Sequence, residues 1–172
     1  PKIICPAMNT GMLEYPATQE NLRLLTTRGR QVVEADSGLL ACGDVGKGRL
    51  APLAAIEDEI EQALFTEKPL SGLKVLVSAG PTQEALDPVR YLTNHSSGKM
   101  GYALAKAARN WGAEVTLVHG PTTLPPVRNV ADMPVTSAQS MAETLLMYAE
   151  DSELIIKAAA VADYTPNEMA PQ

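Results

Sequence analysis

The sequence has little of what marks a specialised environment. No apolar run approaches the length needed to span a bilayer, and the opening PKIICPAMNT lacks the layout of a signal peptide. With two cysteines in 172 residues and no secretory segment, the composition points to a reducing, cytoplasmic setting. The cysteines and histidines (Cys5, Cys42, His95, His119) are scattered rather than set at ligand spacing, which argues against a metal site of zinc type. Basic residues are also short. A net charge of −6 and a pI near 4.9 argue against a nucleic-acid partner or a membrane surface. An anionic ligand would therefore be held locally, by a few cations and by backbone N–H groups. Standard nucleotide motifs are missing as well. Gly98-Lys99 suggests a P-loop, but Thr93 stands where its first glycine belongs and Met100 where Ser or Thr should follow the lysine. A GxGxxG fingerprint is absent, since Gly80-Pro81-Thr82 follows the relevant strand.

What remains is an alternation of short apolar runs and amphipathic segments. Lys2–Cys5 reads as a buried strand, Thr18–Arg28 as a helix stopped by Gly29, and Gln31–Glu34 as the next strand. Ser37–Arg49 carries four glycines in 13 residues and reads as a flexible loop, and Pro52–Phe65 as a helix. The polar, turn-rich stretch 66–72 predicts a linker between pieces at 1–65 and 73–172. Beyond it, Leu73–Ser78, Glu114–Val118, Val130–Val135 and Leu154–Ala162 read as strands. A helix is expected over Ser97–Trp111, with Met100, Ala103, Leu104, Ala107, Ala108 and Trp111 on one face. Another contains Met141–Tyr148 and opens with a capping box at Ser140 and Glu143. The predicted class is α/β, two Rossmann-like pieces with parallel sheets, the first flavodoxin-like and the second resembling dinucleotide-binding domains, both incomplete. In such sheets ligands lie beyond the carboxyl ends of the strands, and each polar loop singled out below follows a strand.

Four stretches could carry chemistry, each with a plainer alternative. Asp87–Gly101 empties into a helix N-terminus through Ser96-Ser97-Gly98-Lys99, where free N–H groups, the helix dipole and a lysine would suit an anion; Arg90 lies in the same run. The alternative is a helix cap by Ser96 or Ser97 with Asn94 in a turn. Cys42, between Ala41 and Gly43-Asp44, could be a reactive thiol near Lys47 and Arg49, or an inert loop cysteine. Asn9, in PAMNTGM, could hydrogen-bond a carboxylate or amide, or form an Asx-turn beside two core methionines, Met8 and Met12. The alanines before Asp163, with Ala159 and Ala160 among them, allow close approach of a ring or ribose, and Asp163 could hold Mg²⁺ or a hydroxyl; they could equally pack beneath a helix.

Taken together and in order, PAMNTGM, ACGDVGKGRL, SAGPTQEALDPVRYLTNHSSGKMG and AAAVADY resemble one family closely: the bacterial bifunctional phosphopantothenoylcysteine decarboxylase/phosphopantothenate–cysteine ligase of coenzyme A biosynthesis. The resemblance covers nearly the whole chain. It implies that residues 1–65 are the last part of an FMN-dependent decarboxylase domain. There Asn9 would contact the substrate carboxylate and Cys42, on a substrate clamp, would give a proton to the ene-thiol left after oxidation and loss of CO₂. Met12, Ala41, Gly43 and Asp44 would belong to the same substrate site. From about Leu73 the resemblance is to the start of the ligase domain. There CTP, with Mg²⁺, activates 4′-phosphopantothenate as an acyl-cytidylate and cysteine displaces CMP, giving phosphopantothenoylcysteine. Asn94 would be tied to the acyl-cytidylate, Arg90 and Lys99 to substrate, and Ser78, Gly80, Ser96, Ser97, Gly98, Ala159, Ala160 and Asp163 to the nucleotide.

The stretch after Arg90 looks like the family's dimer contact, which predicts a homo-oligomer. Leu13 stands where the family usually has Trp. The family's flavin-binding half would precede Pro1 and a lysine-rich loop would follow Gln172, so the chain matches a central segment. Alone, it is expected to bind no flavin and to ligate poorly. Two other readings stay open: an NAD(P)-binding Rossmann-like protein, disfavoured by the missing fingerprint, and a non-catalytic dimerisation module.

Overall fold

A computed structural model describes residues 2–167, and the chain divides into two compact units, Pro1–Thr66 and Glu67–Gln172. The α/β class with parallel sheets expected from the sequence is what the structure shows.

In the first unit, β1 (Ile3–Ile4) leads to two consecutive helices, α1 (Thr10–Glu14) and α2 (Pro16–Thr27). Asn9 caps α1, its side chain accepting from the Gly11 N–H, so the expected polar loop at 8–12 is a helical turn. Pro16, whose fixed φ suits a first helical position, starts α2 two residues before the expected Thr18. Gly29 ends it with φ +73°. Strand β2 (Gln31–Val32) then pairs in parallel with β1. The expected flexible loop is a hairpin, β3 (Asp36–Leu39) and β4 (Val45–Arg49), followed by α3 (Leu53–Leu64). Its glycines are used for close approach. The register slips at Gly48, a bulge with φ +139°, and a Cβ there would overlap the Met8 carbonyl. A Cβ at Gly46 would overlap the Thr10 hydroxyl. With the Met8 N–H donating to the Gly48 carbonyl (2.9 Å), the hairpin lies directly on residues 8–10.

The second unit holds a four-stranded parallel sheet. Strand β5 (Lys74–Ala79) is followed by a small antiparallel hairpin, β6 (Gln83–Ala85) and β7 (Tyr91–Thr93), then helix α4 (Lys99–Asn110) and β8 (Glu114–His119). Strand β9 (Ala131–Pro134), helix α5 (Ala138–Ala149) and β10 (Leu154–Lys157) complete it. The spatial order is β10-β5-β8-β9, so the chain runs outward from β5 on one side and then crosses to β10 on the other. The switch point of this sheet lies between β5 and β10. Val75, Val77 and Ala79 of β5 pack with Val115 and Leu117 of β8 under α4, while Leu76 and Val118 meet Met141 of α5. Alternate residues of one strand thus serve opposite layers, as the two-residue side-chain period requires.

Three expectations change here. Helix α4 buries Gly101, Tyr102, Ala105, Ala108 and Arg109, while Met100 (66% exposed) and Trp111 (46%) of the expected face point outward. Fit decides the rotation: a Cβ at Gly101 would overlap Ala79, so the smallest residue takes the tightest contact. Arg109 tolerates burial because the Arg128 carbonyl accepts from it at 2.7 Å and the Asn110 side chain accepts twice. The capping box of α5 is made by Ser137 and Ser140, one turn before the expected pair. The final strand ends at Lys157, because the alanines that follow turn to the loop after β5.

Candidate functional sites

In the first unit the hairpin turn brings Ala41, Cys42, Gly43 and Asp44 against the capped start of α1. The turn is closed by the Leu40 N–H donating to the Asp44 carbonyl, and Gly43 has φ +87°. The Asn9 Nδ2 lies 3.4 Å from the Cys42 Sγ and 3.5 Å from the Asp44 Oδ2; the Cys42 thiol donates to the same Oδ2 at 3.4 Å. Two of the stretches singled out in the sequence, 33 positions apart, therefore meet. Beside them lies a cavity of about 380 Å³ lined by Met8, Asn9, Leu39, Cys42 and Arg49 among others. Of the plainer alternative, the Asx-turn is present, in the Gly11 N–H donating to Asn9 Oδ1, but the methionines are not core: Met12 is 61% exposed and Met8 half-buried. Leu13, in the family's Trp position, is buried. A larger cavity in this unit, about 720 Å³, is lined by Leu13, Leu22 and Val32 and includes neither Asn9 nor Cys42.

In the second unit the candidates gather where β5 and β10 part. The Ser78 hydroxyl is buried and accepts from the Ala158 and Ala159 N–H groups (3.2 and 3.3 Å). It fastens the alanine run to the sheet and has little freedom to touch a ligand. The Ala160 N–H donates to the Gly80 carbonyl (2.8 Å). Asn94 spans the gap: its Nδ2 donates to the Ala160 and Val161 carbonyls at 3.2 and 3.0 Å. Gly80 and Gly98 both have φ +73° and nearly touch, with Thr122 against both. That contact sets the N-terminus of α4 beside the carboxyl end of β5.

Gly98 occupies the N-cap in a left-handed conformation and provides no side-chain bond, so neither serine caps α4. Ser96 instead accepts from the Gly98 N–H at 3.4 Å, and Ser97 is exposed. The first-turn N–H groups have no side-chain cap, and Lys99 adds a positive charge at the positive end of the dipole. That placement costs stability unless an anion offsets it. Asp163 is exposed just past the alanines.

Arg90 is exposed and paired. It forms a close ion pair with Asp87 (2.6 Å) within the β6–β7 turn. The Val89 and Arg90 N–H groups, with that guanidinium, hold the Asp87 carboxyl below its ordinary value. Residues that sequence reasoning passed over complete the scaffold. Thr82, fully buried, accepts from the Ala162 N–H at 2.9 Å, and its carbonyl accepts from Thr93. Glu84, also buried, accepts from the first N–H of α5 at 2.8 Å. Their only signal was polarity directly after a buried strand. Tyr102 lies beneath these loops, its hydroxyl accepting from Thr122, and burial pushes its phenol up. Among the described residues no group of three or more His, Cys, Asp or Glu is placed to hold a metal. No described helix is long and apolar enough to cross a membrane.

The fold defines an α/β protein of two units, the second with a parallel sheet of Rossmann type. The chain belongs to the family described as the DNA/pantothenate metabolism flavoprotein C-terminal domain, whose model matches residues 70–172; a second model, Flavoprotein, matches residues 1–65. Over 172 residues, all of this chain, it is 49% identical to the coenzyme A biosynthesis bifunctional protein CoaBC of Vibrio vulnificus (strain YJ016), spanning 43% of that protein. It is 47% identical over 169 residues to the protein of the same name from Bacillus subtilis (strain 168), covering 96% of this chain and 42% of the relative. A crystal structure of the C-terminal domain of a CoaBC protein superposes with a TM-score of 0.58 at 50% identity, covering 60% of this chain and 53% of that one. The chain thus spans about two fifths of the curated relatives it matches. The motif resemblance drawn from the sequence falls on the same proteins.

Proposed function

We propose that the two units serve the two reactions of coenzyme A biosynthesis that the resemblance implies. The second would bind CTP and 4′-phosphopantothenate for ligation with cysteine, and the first would contribute to FMN-dependent decarboxylation of phosphopantothenoylcysteine to 4′-phosphopantetheine. The observation that carries this reading is convergence: PAMN meets ACGD at Asn9–Cys42, and NHSSGK meets AAAVAD at Asn94–Ala160. Residues distant in sequence and bland one by one are brought together at two strand ends.

At the switch point, the uncapped first turn of α4 and Lys99 would receive phosphate, and the small Ala159 and Ala160 would leave room for the nucleoside. Asn94 would face the acyl centre. A neutral amide donor stabilises negative charge developing on an acyl oxygen, where a carboxylate would repel it. In reaching that oxygen it would exchange its bond to the Ala160 or Val161 carbonyl. Asp163 fits Mg²⁺ as one carboxylate, since Mg²⁺ is commonly held by one or two carboxylates with substrate phosphates completing its shell.

In the first unit, Asn9 would hold the substrate carboxylate and Cys42 would deliver its thiol proton to the carbon that loses CO₂. FMN fits these residues in part. Arg49 is the one cation lining the cavity, so the wall suits the substrate side of a flavin site and not the flavin phosphate. When bound, FMN would supply the two-electron oxidation of the substrate thiol that makes loss of CO₂ possible and then return the two electrons, so that the product leaves as a thiol.

The test is equilibrium binding of CTP to the protein with Lys99→Ala and Asn94→Ala compared. Lys99→Ala should weaken CTP binding severalfold, with the loss shrinking at high salt. Asn94→Ala should leave CTP binding unchanged and reduce amide formation. CTP binding that ignores Lys99 would remove the switch-point reading. Binding of a nicotinamide dinucleotide in its place would favour the dehydrogenase-like alternative.

A further inference from the structure

The Asn9 amide is not free to turn. Its Oδ1 accepts from the Gly11 N–H at 2.8 Å as the cap of α1, which points the NH₂ group at the hairpin turn. What it meets there is the Cys42 sulfur, at 3.4 Å, and a carboxylate: one oxygen, Asp44 Oδ2, lies 3.5 Å from the Asn9 Nδ2 and 3.4 Å from the Cys42 Sγ. Resting on the reading of Asn9 as the seat of a substrate carboxylate, we propose that Asp44 is an internal competitor for that seat. A substrate carboxylate takes the Asn9 amide by displacing Asp44, because two anionic groups on one NH₂ repel each other.

The consequence is selective. A carboxylate ligand gains Asn9 but has to move Asp44, whereas a decarboxylated product has no group to keep Asp44 away and is released more readily. Asp44 also touches the thiol, so its displacement frees the Cys42 S–H at the moment the substrate arrives. The neighbouring cations do not relieve the competition equally. Lys47 is paired with Glu34 at 3.4 Å, and Arg49 lines the cavity.

Alkylation of Cys42 by iodoacetate, which carries a carboxylate, and by neutral iodoacetamide reads the competition directly. Peptide mapping separates Cys42 from Cys5. Asp44→Asn should raise the iodoacetate-to-iodoacetamide rate ratio roughly fivefold, the size expected when one exposed charge contact is removed. The gain should vanish in Asn9→Ser/Asp44→Asn, since serine keeps the helix cap but has no NH₂ to offer. Asp44→Ser is a second variant should the asparagine misfold, with the same ratio expected. An unchanged ratio in the single variant, or a gain that survives loss of Asn9, overturns the proposal; the latter result would be simple charge removal. The underlying reading is checked separately, by affinities of Asp44→Asn for phosphopantothenoylcysteine and for its decarboxylated product. Equal affinities would remove the carboxylate seat, and the proposal with it, whatever the alkylation ratio.

Discussion

In the second unit the candidate residues are attached to a sheet whose central strands, β5 and β8, are buried on both faces between α4 and α5. In the first, Ala41–Asp44 sit on a hairpin that pairs within itself and lies on Met8, Asn9 and Thr10, and neither α2 nor α3 carries a fully buried residue. The comparison shows two ways of placing a polar group. At the switch point, Ser78 and Thr82 are anchored by hydrophobic burial and position the alanine run through backbone hydrogen bonds. At the hairpin, glycine contacts and one helix cap set the geometry.

The contrast is open to attack at several points. Leu117→Ala, which empties a fully buried position in β8, should cost the second unit about 3 kcal/mol. Hydrogen exchange should show the loss confined to that unit. An equal loss of protection in the first unit would mean the two are not independent. Gly48→Val should cost about 2 kcal/mol locally, through its disfavoured φ and its overlap with the Met8 carbonyl. Its signature is specific: amide shifts at residues 8–10 and 41–44 should change together, while the β5–β8 pairing stays protected. Ser78→Ala should cost about 1 kcal/mol by orphaning the Ala159 N–H group, while the Ala158 N–H keeps the Ser78 carbonyl at 3.1 Å. Faster exchange at the Ala159 amide, with Ala158 and β8 little changed, is the check.

The smallest effect belongs to the β6–β7 turn. The Asp87 carboxyl is held below its ordinary value of 3.8 by the Val89 and Arg90 N–H groups and the Arg90 guanidinium. A depressed folded value means that its contribution is complete above the ordinary value and is lost as pH falls through the lowered one. An NMR titration should therefore give a midpoint under 3.8, and Asp87→Asn should abolish the low-pH fraying of the turn. A midpoint at or above 3.8 would refute the turn geometry.

The strand–helix alternation of both units was legible in the sequence, because buried parallel strands such as Val75–Val77 leave plain apolar runs. The buried face of α4 was not. Periodicity placed Met100 and Trp111 inward, but close packing of Gly101 on Ala79 outweighs larger side chains when the helix must lie near the sheet. The 37–49 hairpin was hidden for a related reason. Glycine reads as flexibility, and nothing local says that Gly46 and Gly48 are there to let Thr10 and Met8 come close. For the candidate sites, motif order brought the stretches to notice, and chain topology then made Cys42 a neighbour of Asn9 and Asn94 a neighbour of Ala160. That Arg90 is engaged by Asp87, and that Ser78 and Thr82 hold backbone, depends on three-dimensional partners that no spacing reveals.

The central claim is that two separate sites serve two reactions. Its most direct test is a full-length family enzyme carrying this segment, assayed for both half-reactions with Cys42→Ser and Asn94→Asp. The expected result is crossed: Cys42→Ser stops decarboxylation and leaves ligation intact, and Asn94→Asp stalls amide formation while decarboxylation of supplied phosphopantothenoylcysteine continues. Loss of both half-reactions from either substitution would contradict it.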